Sequence, residues 1–165
     1  MKNTAYLTLP VMLILLIWQG AILPQFIDLV PNLVLLAALS WTLLRGPEEG
    51  ALWAFTGGFF LDLFTAGPIG ATALAVIVPV LVVGLLQRSF PAGSFFFPLL
   101  YAALGTLIYL IIYLTVISLL GTTVSGQMVT ALLPLLITNT LTMVPVHWML
   151  TRLSRWVFPQ PVEVQ

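Results

Sequence analysis

The side chains able to do chemistry in this chain are few and set far apart. Asp62 stands near the end of the apolar run GALWAFTGGFFLDLF, just before a Gly67-Pro68-Ile69-Gly70 turn. An aspartate at the centre of a membrane helix costs about 2.5–3.5 kcal/mol on the insertion scale, so a carboxylate here needs a reason. His147 is the only histidine and cysteine is absent. Neither a thiolate nucleophile nor a thiolate metal site is therefore available, and one imidazole without a neighbouring acid is a poor metal ligand. No phosphate-binding glycine loop with lysine, nucleophile elbow or HExxH pattern occurs. A carboxylate relay would need a second acid in the apolar interior, and none is present. These residues predict a protein that is not an enzyme and carries no cofactor.

The surroundings define the solvent. Of the 165 residues, 61% are hydrophobic and 6% are charged. The mean hydropathy is +1.15. Soluble domains carry about 25% charged residues, so this composition cannot cover a water-facing surface. Five Lys/Arg balanced by five Asp/Glu leave no basic patch for nucleic acid. The expected partner of the surface is the lipid bilayer.

Pro, Gly and charged residues divide the chain into six apolar segments, at about 5–23, 29–44, 48–64, 69–86, 94–120 and 128–150. The runs are too long and too unalternating for barrel strands, and backbone cannot go unpaired in lipid, so the segments are helices. The first resembles a secretory signal, with Lys2 ahead of an apolar core, but it is long enough to span and lacks a cleavage site. We expect an all-α membrane protein of one polytopic domain, 1–165, with a cytoplasmic tail at 151–165. Six crossings place Lys2, Arg45, Arg88, Arg152 and Arg155 on one side, which makes both termini cytoplasmic by the positive-inside rule. Segment 3, about 17 residues long, lies at the lower limit for spanning. It either crosses or forms a re-entrant hairpin with segment 4, and the charge pattern is the same in both cases.

Within segment 3, Gly50, Ala54, Gly58 and Asp62 recur every four residues and fall along one helix face. Small residues at this spacing admit a second helix at close range. Pro68 suits the first position of the next helix, whose N-terminal N–H groups are unpaired and carry partial positive charge. Asp62 therefore reads as a clasp on that helix start. The alternatives are an ion, proton or ligand site and a contact to a partner protein.

Three further groups stand out. Tyr101, Gly105, Tyr109 and Tyr113 repeat every four residues in segment 5, as core packing or as a face for a partner helix. Thr138, Asn139, Thr140 and Thr142, between Pro134 and Pro145, make segment 6 polar at its centre and suit hydrogen bonding inside the bundle, with a small-molecule pocket as the rival reading. Asp28, Pro31 and Asn32 suit the capped start of segment 2. Trp41, Trp148 and Trp156 fit an aromatic belt near the inner face, where Arg152 and Arg155 would meet anionic lipid or a cytoplasmic partner.

The run GPEEGALWAFTGGFFLDLFTAGPIGATAL, with Pro31-Asn32 upstream, resembles the MreD family of rod shape-determining membrane proteins. Gly58, Asp62, Pro68 and Gly70 stand at the positions that carry the likeness, and the six-segment plan extends it over nearly the whole chain. The resemblance implies a multi-pass protein of the bacterial inner (cytoplasmic) membrane that acts as a scaffold in cell elongation and peptidoglycan synthesis. It further implies binding to MreC, a bitopic protein, and association with MreB, RodA and a class B penicillin-binding protein. A rival of another class is the vitamin-binding subunit of energy-coupling-factor transporters, whose six-helix fold we expect this family to share. Against that rival, LTLPVMLILLIWQ in segment 1 is bulky where those subunits carry an Ala-x-x-x-Ala stripe.

Overall fold

A computed structural model describes residues 5–25, 29–65, 68–89, 96–121, 123 and 126–157. Among them six α-helices and no strands occur: α1 (Ala5–Ile17), α2 (Leu33–Arg45), α3 (Pro47–Phe64), α4 (Ala71–Ser89), α5 (Phe96–Leu119) and α6 (Gly126–Val157). A π-helical turn, Trp18–Ile22, and a 3-10 turn, Leu23–Gln25, continue α1. Each helix falls on one of the six apolar segments. The main difference is α6, which runs on through Arg152 and Arg155 to Val157, so the first residues of the expected tail are helical.

Helix lengths vary widely against a hydrocarbon thickness of about 30 Å. At about 1.5 Å per residue, the 32 residues of α6 reach about 48 Å and the 13 of α2 only about 20 Å. Among the described residues, four helical stretches are long and apolar enough to cross a membrane: Tyr6–Gln25, Ala71–Arg88, Phe96–Leu119 and Leu133–Val157. Helix α2 is apolar but shorter. Helix α3 has the length, at 18 residues, but carries Glu48 and Glu49 in its first turn and Asp62 near its end.

Helix α2 is the axis of the bundle. Every residue from Leu33 to Leu43 is buried, and the helix packs on each of the other five. That environment matches its sequence, LVLLAALSWTLL, which is apolar on all sides apart from Ser40 and Thr42. Both polar residues have partners inside the bundle: the Thr42 hydroxyl donates to the Ala38 carbonyl at 2.7 Å, and Ser40 Oγ meets His147 Nδ1 of α6 at 2.9 Å. Many side chains left exposed on the outer helices are large and apolar, including Phe55 and Phe59 on α3, Leu81 and Leu85 on α4 and Ile111 on α5. This inverted distribution is what a lipid-facing exterior requires.

Two of the glycines show how closely the helices approach. A Cβ on Gly58 would lie 2.6 Å from the Cα of Ala73, so α3 and α4 touch backbone to backbone there. A Cβ on Gly105 would lie 2.6 Å from Leu39 Cδ1, which seats α5 against α2. Such contacts supply the dispersion energy that holds membrane helices together, since lipid tails remove the hydrophobic drive between them.

Gly58→Ala is therefore expected to lower stability by about 1–3 kcal/mol, because the opposing backbone must retreat. Gly20→Ala, whose Cβ meets nothing within 4 Å, is expected to be neutral or slightly stabilising. Thermal unfolding of the two variants in one detergent checks the contrast.

Candidate functional site

The α3–α4 hairpin gathers the motif around Asp62. Helix α3 stops at Thr65, whose N–H and hydroxyl both donate to the Leu61 carbonyl at 2.9 Å. A turn over Pro68–Ala71 follows, closed by the Ala71 N–H to the Pro68 carbonyl at 3.1 Å. Gly70, with φ +94°, occupies its third position, where a type II turn needs the left-handed region. Helix α4 then begins at Ala71, so Pro68 stands ahead of the helix inside the turn, and not at its first position as the sequence suggested. The reason is Gly70: the positive φ there delays helical geometry by one turn. Gly67 lies outside the described residues.

Asp62 is 2% exposed. Its Oδ2 accepts from the Gly70 N–H at 2.9 Å and the Ala73 N–H at 3.1 Å, while Oδ1 accepts from the Thr72 N–H at 2.9 Å. Three backbone donors at a helix start, which have no partner within the helix itself, thus converge on one carboxylate. Gly58 makes this possible. One turn earlier in α3 it lets Ala73 approach, which brings the start of α4 within hydrogen-bond reach of the residue four positions on. Gly50 and Ala54 complete the buried stripe; a Cβ on Gly50 would overlap the Thr42 hydroxyl of α2. The stripe therefore serves two neighbours, α2 at one end and α4 at the other.

A second knot joins α2, α5 and α6. Asn139 is fully buried. Its Oδ1 accepts from the Asn32 N–H at 2.8 Å and its Nδ2 donates to Thr106 Oγ1 at 3.1 Å. Asn32 is the N-cap of α2, accepting from the Leu35 N–H at 3.1 Å, as its position before the apolar run suggested. Thr138 and Thr142 are half-buried, not interior, and the Thr138 hydroxyl returns to the Pro134 carbonyl at 3.1 Å. Of these three residues, Asn139 is the one whose described bonds cross between helices.

In the tyrosine stripe, Tyr101, Gly105 and Tyr109 are buried. Gly105 abuts Leu39, so this face is filled by the chain's own α2 and is not open to a partner helix. Tyr113 stacks on Tyr109 at 5.8 Å between ring centroids and is half-exposed. Trp41 is likewise not in an interfacial belt. It is fully buried and stacked on Trp53 at 4.2 Å, and its indole N–H donates to Glu49 Oε2 at 3.0 Å. Glu49 also meets Arg45 at 3.6 Å. Trp148 and Trp156 are exposed on α6, with the Arg152 guanidinium 4.2 Å above the Trp148 ring.

Sequence reasoning missed the Trp41–Trp53 pair, Glu49, Ser40–His147 and Thr106. The two tryptophans flank the Gly46-Pro47 turn at comparable distances, which was the available signal for a cross-hairpin stack. The Ser40–His147 contact has the atoms of a nucleophile–base pair, but Ser40 has no exposed surface and the pair ties α2 to α6. Among the described residues no cluster of three His, Asp or Glu side chains is arranged to hold a metal ion.

Asp62→Asn replaces one acceptor oxygen by an amide that faces N–H donors. The expected loss is about 1–3 kcal/mol, read as a lower thermal midpoint in detergent, with partner binding preserved in the folded fraction. Unchanged stability with lost binding would contradict the clasp. Asn139→Leu removes two interhelical hydrogen bonds and is expected to cost about 0.6–2 kcal/mol in the same assay.

Comparison with known proteins adds one finding. No curated protein and no solved structure matches the chain. A family model described as "rod shape-determining protein MreD" matches residues 2–157, almost the whole length. An all-helical fold with four long apolar helices agrees with that match, and the chain belongs to the MreD family of rod shape-determining membrane proteins.

Proposed function

We propose that this chain is a non-catalytic scaffold of the cell-elongation machinery. It holds an MreC-like bitopic protein in the membrane and, with it, associates with MreB, RodA and a class B penicillin-binding protein. The observation that carries the reading is the family match over residues 2–157. The disposition of polar groups supports it: the carboxylate of Asp62 and the amide of Asn139 are consumed in helix–helix ties. What remains for a partner is surface, chiefly the apolar outer faces and the cationic end of α6.

The topology belongs to the same proposal. Six crossings of the bacterial inner membrane, with both termini cytoplasmic, put Arg45, Arg88, Arg152 and Arg155 on the inner side. Helix α2 then crosses enclosed by the other helices, whose exposed apolar faces take the hydrophobic match.

Affinity purification of the full chain from mild detergent, without added nucleotide or vitamin, tests the scaffold reading. Co-purification of an MreC-like bitopic protein is expected. An energy-coupling ATPase pair or a retained vitamin would overturn the proposal. Tag accessibility at the two ends is expected to report the same face.

A further inference from the structure

The bundle end that carries Asp62 also holds a cleft of about 350 Å³ that the helix ties do not use. This volume lies at the small end of the range for small-molecule sites, about 300–1,000 Å³. Gln19 and Gly20 line it from the π-helical turn, Asn32 from the start of α2, Thr65 from the end of α3 and Tyr109 from α5. The rest of its wall is apolar, with Phe64 among the lining side chains.

Two independent features single it out. The first is backbone geometry. π-turns are rare and concentrate at functional sites, and none of the residues Trp18–Ile22 is buried, so core packing does not explain the turn. Its effect is to present Gln19 to α2, where Oε1 faces the Val34 N–H at 3.4 Å. The second feature is a pair of unused side-chain donors. The side-chain amide and carboxylate oxygens here are engaged: Gln19 Oε1 by Val34, Asn32 Oδ1 by Leu35, Asn139 Oδ1 by Asn32 and both Asp62 oxygens by the start of α4. Two donors are used in none of the described hydrogen bonds: Gln19 Nε2, and the proton of the buried Tyr109 hydroxyl, whose oxygen is hydrogen-bonded by the Asn32 side chain. A site with spare donors recruits an acceptor.

Charge narrows the class. No Lys, Arg or His lines the cleft, and the neighbouring Asp62 carboxylate opposes an anion. Its place at the helix ends is the level where a bilayer presents glycerol and ester groups.

We infer that this cleft binds an uncharged ester-bearing ligand whose carbonyl oxygens accept from Gln19 Nε2 and the Tyr109 hydroxyl. The source is either a glycerolipid of the surrounding membrane or a free small ester.

Native mass spectrometry of the full chain in mild detergent tests this, with dioleoylglycerol and its dialkyl ether analogue as probes. One dioleoylglycerol per chain is expected, bound at least about tenfold more tightly than the ether, which keeps the shape but loses the carbonyls. Gln19→Leu and Tyr109→Phe are each expected to weaken ester binding and to shrink that preference. Gly20→Leu, which extends a side chain into open space, is expected to abolish it. Thermal midpoints identify folded variants, and the ester–ether comparison needs no variant at all. Equal binding of the two probes, binding of neither, or undiminished ester binding in folded Gly20→Leu protein would overturn the inference. Triacetin separates the sources: competition at millimolar concentration assigns a free small ester, and its absence assigns the membrane glycerolipid. These readouts do not depend on any protein partner, so the scaffold reading and this one can fail separately.

Discussion

A polar group withdrawn from water and left unpaired costs several kcal/mol, and in a bilayer no water can settle the debt. That constraint organises this protein. The start of α4 leaves N–H groups without helical partners, and Asp62 carries a charge that lipid would not tolerate. Each solves the problem of the other. The exchange demands that α3 and α4 approach within a distance only glycine allows, and Gly58 provides it against Ala73. The same principle recurs in a neutral form at Asn139, where one amide serves a backbone N–H of α2 and a hydroxyl of α5. Helix positions are thus specified by a few polar contacts and then filled by close packing.

Much of this was legible in the residues. The four-residue spacing of Gly50, Ala54, Gly58 and Asp62 defined a face, and a carboxylate just before a Gly-Pro-Ile-Gly turn had few places to go. Asn32 before an apolar run signalled a cap. Helix number followed from the six apolar runs. These features share a cause: they are local, so chain spacing alone carries them.

The parts that were not legible depend on rotation about the helix axis. In a soluble protein the polar face of a helix reports its orientation, whereas here both lipid and core are apolar, and composition does not separate them. Trp41 is the clearest instance. An interfacial tryptophan and one stacked in the core have the same sequence context near a charged turn, and only the fold reveals that Trp53 lies 4.2 Å away. The tyrosine stripe of α5 was ambiguous for the same reason. Its period identified a face, but not that Leu39 of α2 would occupy it. The π-turn after α1 had no signal beyond Gly20, and a single glycine in an apolar run is too common to imply one.

The enclosure of α2 has a consequence for biogenesis. This helix offers almost nothing to lipid, and its N-cap and Ser40 are each met by α6 side chains 107 positions later. When α2 leaves the ribosome, the residues that will satisfy it have not yet been synthesised. It must therefore wait beside the insertion machinery, or beside α1 and α3, until the last helix arrives. The partners of α2 are supplied by α6, and a chain halted before α6 would hold an open seam where its centre should be.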